Sequence, residues 1–440
     1  MRFFNSIKIK ILIVSIALAA IPVAIVSVLL GMQSSSAAKV ALENQVANQL
    51  ISIREIKKSQ LENYLNDIEK KVSTYSIDAS IVTYMQKFAT YYQTDKRQLT
   101  DVSEQKQNLS AFYNGPFATT YKKLNGINAP TADFIVSKLG NIDIALQNSY
   151  LALNEADFGE KHNLINPEDG STYANAHDEG HRAMKDLFEK LDVEDMYLID
   201  PKGNVVYSVQ KNPDFATNLR EGPYKNSNLA NAYVAAIDSE NYEYVAVSDI
   251  EPYAGNFNRP SMFFASPIQD LDEEDAYEIL GVLVLKVKLK SVNTIMNSNA
   301  SWENIGMGKT GEVYLIGRDS ALRSDARAML EVKGSYLEEL AHIGVKSDLI
   351  RLIDLQSTTS NRVKIENEVI NLATDGATGT GVFENPFAKE TIAAYAPIKF
   401  HKLDWSIVSG IETSEAFAAS ETLVSEIKLS YFRQSRKLIG

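Results

Sequence analysis

Three of the five histidines, His162, His177 and His181, sit close together in the sequence. The run His177-Asp-Glu-Gly-His181 sets two imidazoles at i and i+4, one face of a helix if the segment is helical, and that spacing can hold a transition metal. It is not the metalloprotease signature, because Asp178 follows the first histidine and Glu179 is displaced by one. Gly180 also weakens a helix here. Hydrogen-bonding or helix-end histidines are the default reading, with the metal as a weak alternative. Arg323-Ser-Asp325 and Arg327 offer either an anion site or a salt-bridged turn, and the turn is favoured. Gly306-Met-Gly308 and Gly311 are not a dinucleotide fingerprint, since a strand follows them rather than a helix. The acidic run Asp270-Leu-Asp-Glu-Glu-Asp275 lacks the glycine and terminal glutamate of a calcium loop and reads as a solvated hairpin tip. Cysteine is absent, so no disulfide, thiolate nucleophile or cysteine-ligated zinc or iron–sulfur cluster can form. Nothing resembles a nucleophile elbow. A non-enzyme without a cofactor is the expectation.

The elements that must position these groups begin with an apolar run. Arg2, Lys8 and Lys10 precede residues 11–31, which carry no charge. About 20 helical residues span a bilayer core of roughly 30 Å, and basic residues on the N-terminal flank keep that end inside. Residues 1–10 are therefore expected in the cytoplasm, 11–31 as a transmembrane helix and the rest outside. Signal-peptide cores run only about 7–15 residues, which favours an uncleaved anchor over cleavage near Ser34-Ser-Ser-Ala-Ala38. The 440 residues allow two or three domains. A net charge of −12 excludes the basic face that nucleic acid needs.

From Ser34 to about Tyr75 there is neither Gly nor Pro. Val46, Leu50 and Ile53, then Leu61, Leu65, Ile68, Val72 and Tyr75, repeat at helical spacing with a phase slip at Lys57 and Lys58. A long amphipathic helix follows. Its stripe suits a homodimer seam or packing within a bundle equally well. Mostly helical sequence continues to Leu191, with residues 131–153 read as one helix.

Beyond it one pattern occurs twice. Met196-Tyr-Leu-Ile-Asp-Pro-Lys-Gly-Asn-Val-Val-Tyr207, Ala265-Ser-Pro-Ile268 and Gly281-Val-Leu-Val-Leu-Lys-Val287 form the first copy. Val313-Tyr-Leu-Ile-Gly-Arg-Asp-Ser-Ala-Leu322, Ala394-Tyr-Ala-Pro-Ile398 and Trp405-Ser-Ile-Val-Ser-Gly-Ile411 form the second. Each copy reads as a strand, a polar turn, a strand, a long insertion and two more strands. In the first, strands are expected at 244–250, 262–268 and 279–287 and a helix at 229–237. Residues 291–301 join the copies as a helix. In the second, paired strands are expected at 312–322, helices at 330–340 and 346–355, and strands near 380–383, 391–397 and 405–411, before an amphipathic exit helix at 412–439. Two α+β modules in series outside a membrane suggest a sensor.

The run from Met196 to Leu219, with Gly222-Pro-Tyr224, Asn228-Leu-Ala230 and Glu251-Pro-Tyr253, resembles the extracytoplasmic sensor of a group of bacterial methyl-accepting chemotaxis proteins. The second copy agrees through Trp302, Gly306-Met-Gly-Lys-Thr-Gly-Glu-Val-Tyr-Leu-Ile-Gly317, Arg323-Ser-Asp-Ala-Arg327 and Gly376-Ala-Thr-Gly-Thr380. The resemblance covers about residues 160–417 and is to double Cache-like sensors, which also precede histidine kinases and nucleotide cyclases. It implies an α+β fold with an N-terminal transmembrane helix, a helical extracytoplasmic segment (33–190) and two PAS-like modules with antiparallel sheets. The first, membrane-distal module is expected at 191–300, the second, membrane-proximal one at 301–412, and the exit helix at 413–440. The implied setting is the bacterial inner membrane, single-pass, with most of the chain periplasmic and a role in chemotaxis. The resemblance further implies a small-molecule ligand held in the first module, with Tyr207, Tyr224, Asp249, Tyr253, Arg259 and Phe264 as candidates. Asp249 would accept from an amine and Arg259 would clamp a carboxylate, while the rings form walls. The ordered Tyr, Arg, Trp, Tyr and Asp of amino-acid-binding members is not clearly present. Family members continue into a second span, a HAMP linker and a signalling domain, and this sequence carries none of these. A receptor's sensor half, a kinase or cyclase sensor, and a secreted binding protein are therefore the readings in play.

Overall fold

The computed structural model describes residues 7–98, 101–239, 241, 243–270 and 279–418. Helix α1 (Ile7–Ser76) runs without a break. Its apolar stripe is spent inside the chain: Leu61, Leu65, Ile68 and Val72 are fully buried, and Leu50 nearly so. The helix lies against the sheets of both modules, so the stripe that could have served a dimer seam is covered by this chain's own strands. The phase slip has a physical use. Lys57 Nζ donates to the Ile295 carbonyl at 2.6 Å and Lys58 Nζ to the Pro397 carbonyl at 2.7 Å, while Arg54 Nη1 donates to Tyr395 O at 2.9 Å. Polar residues at the slip thus tie α1 to the second sheet and to the connector between modules. Among the described residues no helix is long and apolar enough to cross a membrane. The backbone of the expected span, 11–31, is helical, and many of its side chains lie outside the described residues, as do residues 1–6 of the expected cytoplasmic end.

Helices α2 (Ala79–Gln98), α3 (Ser103–Phe112), α4 (Ala118–Asn125), α5 (Ala132–Val136), α6 (Asn141–Gln147) and α7 (Thr172–Leu191) follow. The single helix expected over 131–153 is instead α5 and α6, separated by a turn at 137–140, with a wide π turn at Asn148–Ala152 continuing α6. Helix α7 is capped by Ser171, whose hydroxyl accepts from Ala174 N. This is an ordinary N-cap. The segment is not an independent helical unit: α2 and α7 pack together, and α2 also meets the first sheet.

That sheet is antiparallel in the order β2-β1-β7-β6-β3, from β1 (Asp195–Ile199), β2 (Val205–Ser208), β3 (Ala246–Val247), β6 (Phe263–Gln269) and β7 (Ile279–Lys286). The strand expected at 244–250 is reduced to the two residues of β3, and a hairpin of β4 (Glu251–Tyr253) and β5 (Arg259–Ser261) follows it before β6. Alternation divides the sheet. Met196, Leu198, Tyr207, Phe264, Leu283 and Leu285 face α1, α2 and α7. Tyr197, Ile199, Val205, Phe263, Val282 and Val284 face the other way, under α8 (Asn228–Ile237).

Helix α9 (Leu289–Asn297) joins the modules. The second sheet, ordered β8-β11-β10-β9, comprises β8 (Glu312–Gly317), β9 (Gly379–Glu384), β10 (Glu390–Pro397) and β11 (Trp405–Glu412). The return strand expected up to residue 322 is reduced to isolated bridges at Ala321 and Leu322. The helix expected at 330–340 is two, α10 (Arg327–Glu331) and α11 (Lys333–His342), followed by α12 (Ser347–Gln356) and α13 (Glu368–Thr374). Of the exit helix, only α14 (Thr413–Ala416) can be described. The remainder, from 419, and most of the acidic tip, 271–278, lie outside the described residues.

Candidate functional site

The register of the first sheet brings charge into an apolar layer. Asp195 pairs with Lys286, and Lys286 with Phe263 on its other side. In the next row of that face, Tyr197 pairs with Ser208 and Val284. Asp195, Tyr197, Ser208 and Lys286 are at most 1% exposed. The segment after β2, the start of α8 and the β4–β5 hairpin bring Asp214, Tyr224, Asn228 and Tyr253 to this face.

Among the described residues, this covered face holds more hydrogen-bonding capacity than its neighbours satisfy. Asp195 Oδ1 accepts from the N–H groups of Met196, Val209 and Gln210 at 2.8, 3.1 and 3.0 Å, yet its Oδ2 has no partner. Asp214 Oδ2 accepts from the Tyr253 hydroxyl at 2.7 Å, and its Oδ1 has none. The Tyr197 hydroxyl lies beside both carboxyls and interacts with each, but with neither in full hydrogen-bond geometry. Ser208 Oγ is unpartnered, and so is Asn228 Oδ1, although Asn228 Nδ2 donates to the Ser261 carbonyl at 2.8 Å. Leaving a buried polar atom unpaired costs about 1–3 kcal/mol, so five on one face need a reason. Aromatic rings wall the group: Tyr253 meets Phe263 edge-on at 5.1 Å, and Tyr224 lies 6.2 Å from Tyr253.

Burial sets the charges. It pushes the Asp195 carboxyl up to about 7, with the nearby Asp214 carboxylate adding to the rise and the N–H donors opposing it. Asp214 is raised by burial as well. Lys286 is neutralised by Glu194 at 2.7 Å. At the sheet edge Lys211 donates to the Ser208 carbonyl and lies over the rings of Tyr207 and Phe215, 4.3 and 4.8 Å from their centroids. Burial pulls its ammonium down to about 7, against the pull of Asp195. Two buried carboxyls and unpaired polar atoms on one face have the chemistry to meet a small cationic donor group.

Of the six candidates read from the sequence, the structure brings Tyr224 and Tyr253 into this site. Four lie elsewhere. Tyr207 and Phe264 point into the opposite face, where Tyr207 stacks on Phe88 at 4.9 Å and bonds His181, and Phe264 packs 5.9 Å from Phe400. Asp249 is committed to the junction between modules, accepting from Arg323 Nε and Nη2 at 3.0 and 2.9 Å and from Trp405 Nε1 at 2.7 Å. Arg259 is exposed on β5, at the rim of the cleft between the modules. Sequence reading missed Asp195, Asp214, Lys286 and Asn228. The available signal was a charged residue at each end of apolar strands: Asp195 opens β1 and Lys286 closes β7.

His177 and His181 are each tied to protein atoms, although His177 Nε2 and His162 Nδ1 find no partner among the described residues. His177 and His181 stack at 4.2 Å on α7, as their i and i+4 spacing requires. His177 Nδ1 meets Ile165 O at 2.7 Å, while His181 meets the Tyr207 hydroxyl and His162 O at 2.8 and 2.7 Å. Burial holds both below the usual imidazole range, His181 at about 3. Among the described residues no group of three or more His, Cys, Asp or Glu is placed to hold a metal. Arg327 lies over Trp302 at 4.6 Å and binds Glu331 and the Gly308 and Gly311 carbonyls, so it closes a turn.

The sequence matches the Cache domain family over residues 38–420. Among solved structures, the ligand-binding domain of the Pseudomonas aeruginosa PAO1 amino-acid chemoreceptor PctB with L-Arg is 15% identical, with 54% of this chain and 80% of that one covered and a TM-score of 0.30. The Pseudomonas fluorescens chemoreceptor CtaA with L-serine is 15% identical over 62% of this chain and 92% of that one, at 0.30. The ligand-binding domain of Mlp24 with asparagine is 12% identical over 55% and 80%, at 0.32. No curated protein matches the sequence. At such distances these structures lend the chain no ligand.

Proposed function

We propose, for a chain that belongs to the Cache domain family, that it is the sensing region of a membrane-anchored bacterial chemoreceptor. In this reading it is not an enzyme, and it binds a small ammonium-bearing molecule on the covered face of the first module. The observation that carries the reading is the set of five unpartnered buried atoms: Asp195 Oδ2, Asp214 Oδ1, Tyr197 OH, Ser208 Oγ and Asn228 Oδ1. An ammonium group supplies three donors, which suits two carboxylates that are costly to ionise alone. Binding would hold both carboxyls charged and draw the covering segment and the β4–β5 hairpin down on the sheet. Because α1 packs on both sheets, a shift at the first would be carried along it by bias of a two-state arrangement. The uncharged run 11–31 with its basic flank supports an anchor that leaves both modules in the periplasm, and the resemblance of the two copies supports chemotaxis as the output.

The test is a thermal-shift screen of amine-bearing metabolites on the purified protein and on Asp214→Asn. A ligand at about 100 times its Kd should add about 2.7 kcal/mol, and the substitution should remove that gain. Absence of any stabilising compound, or hits indifferent to Asp214→Asn, would refute the reading.

A further inference from the structure

The second module has a cavity of its own, unrelated to the face described above. Its volume is ≈ 90 Å³, and it opens between the outer face of the second sheet and helices α10 and α11. Tyr314, Tyr336, Phe383 and Phe387 supply aromatic walls, with Tyr336 edge-on to Phe387 at 5.8 Å. Glu312, on β8, lines the cavity beside them. Its Oε2 accepts from the Arg327 N–H at 3.1 Å. The Arg327 guanidinium is nearby but is spent on Glu331 and on the Gly308 and Gly311 carbonyls, so it forms no ion pair with Glu312. The second carboxyl of the lining, Glu412, pairs outward with Lys389 at 3.2 Å. Among the described residues no lysine, arginine or histidine lines the space. Burial raises the Glu312 carboxyl, opposed by the Arg327 N–H and charge, as expected where a carboxyl faces apolar walls.

Size, walls and charge together define an occupant. A cavity needs about 10–15 Å³ to hold one water, so this one has room for several heavy atoms, enough for a small amine. Aromatic faces attract cations, and a carboxylate without an ion partner pairs with an ammonium. We infer that the second module holds a second ligand site, taking the protonated amine end of a small apolar molecule between Glu312 and the Tyr314, Tyr336, Phe383 and Phe387 rings. The site is independent of the first module's, and a chain with both would read two amines or one amine at two concentrations.

Propylammonium chloride titrated into the full chain, followed by ligand-observed NMR, tests this. The expected result is saturable binding, with Overhauser contacts from the propyl chain to aromatic protons that vanish in Phe383→Leu. Glu312→Gln should weaken the binding that Phe383→Leu reports at least tenfold, and Ala328→Leu should abolish it by filling the cavity; any separate binding event that Asp214→Asn removes belongs to the first module. The unliganded melting temperature of each variant serves as the folding control, and the Overhauser contacts in the unaltered chain stand without any variant. Absence of saturable binding, equal binding of 1-propanol, or binding indifferent to Glu312→Gln would overturn the inference. Loss in Asp214→Asn alone would assign the ligand to the first module and overturn the second site.

Discussion

Asp195→Asn keeps the shape of a buried carboxyl and removes its charge. In the native protein Oδ1 accepts three backbone N–H groups and Oδ2 meets nothing, so an amide can keep the three bonds and set its NH₂ where the unpartnered oxygen was. The carboxyl's folded value is about 7 against an ordinary 3.8. A raised acid retains its proton on folding, so its contribution is fully present below pH 3.8 and is lost as pH rises to about 7. At about 1.4 kcal/mol per pH unit the loss reaches roughly 4 kcal/mol. Lys211, depressed from 10.5 to about 7, acts in the opposite window: the folded state gains stability as pH rises from 7 to 10.5. The pair thus places a stability minimum near neutrality. Urea unfolding at half-unit steps from pH 4 to 8, at constant m-value, should show Asp195→Asn level with the native protein near pH 4. It should be more stable by up to about 4 kcal/mol at pH 7–8. A difference independent of pH, or a variant less stable at pH 8 than at pH 4 relative to the native chain, would refute the reasoning.

Asp249→Asn should loosen the junction by roughly 1–3 kcal/mol, below the value for a fully buried pair because the Asp249 side chain is 32% exposed. A double-mutant cycle with Arg323→Leu would read the coupling, and additive costs would contradict the bidentate geometry. Gly281→Ala places a Cβ 2.6 Å from Ile199 O and 2.8 Å from Met85 Sδ. Overpacking there should cost roughly 1–3 kcal/mol, read as a lower urea midpoint. Tyr207→Phe removes the hydroxyl that His181 Nδ1 meets at 2.8 Å, for about 1–3 kcal/mol of stability. Because Tyr207 faces away from the site, ligand-induced stabilisation should survive unchanged, and its loss would put Tyr207 back in the pocket.

Much of the scaffold was legible because periodicity records burial. The Leu61, Leu65, Ile68, Val72 stripe gave α1, and the doubled strand pattern gave both sheets. The site was less legible, for reasons of parity and distance. Tyr207 pairs with Leu198 and its neighbour Ser208 with Tyr197, so one residue decides which face a ring joins. A strand buried on both faces gives no polar alternation to say which is which. Phe264 is placed by the same parity: it joins the layer under α1, while adjacent Phe263 takes the face of Tyr197. Asp249 looked like a ligand carboxylate because its partners, Arg323 and Trp405, come from the other module, and no local pattern announces such a contact. Lys286 closes an otherwise apolar strand, and its charge at the strand end is the sequence signal of the buried cluster.

Hydrogen–deuterium exchange of the purified protein, with and without the strongest stabilising amine, tests the central claim most directly. Occupation of the first module's covered face predicts slowed exchange at residues 195–197, 209–215 and 249–261, with Asp214→Asn erasing the effect. Protection confined to the second module, or none at the covering segment, would contradict it.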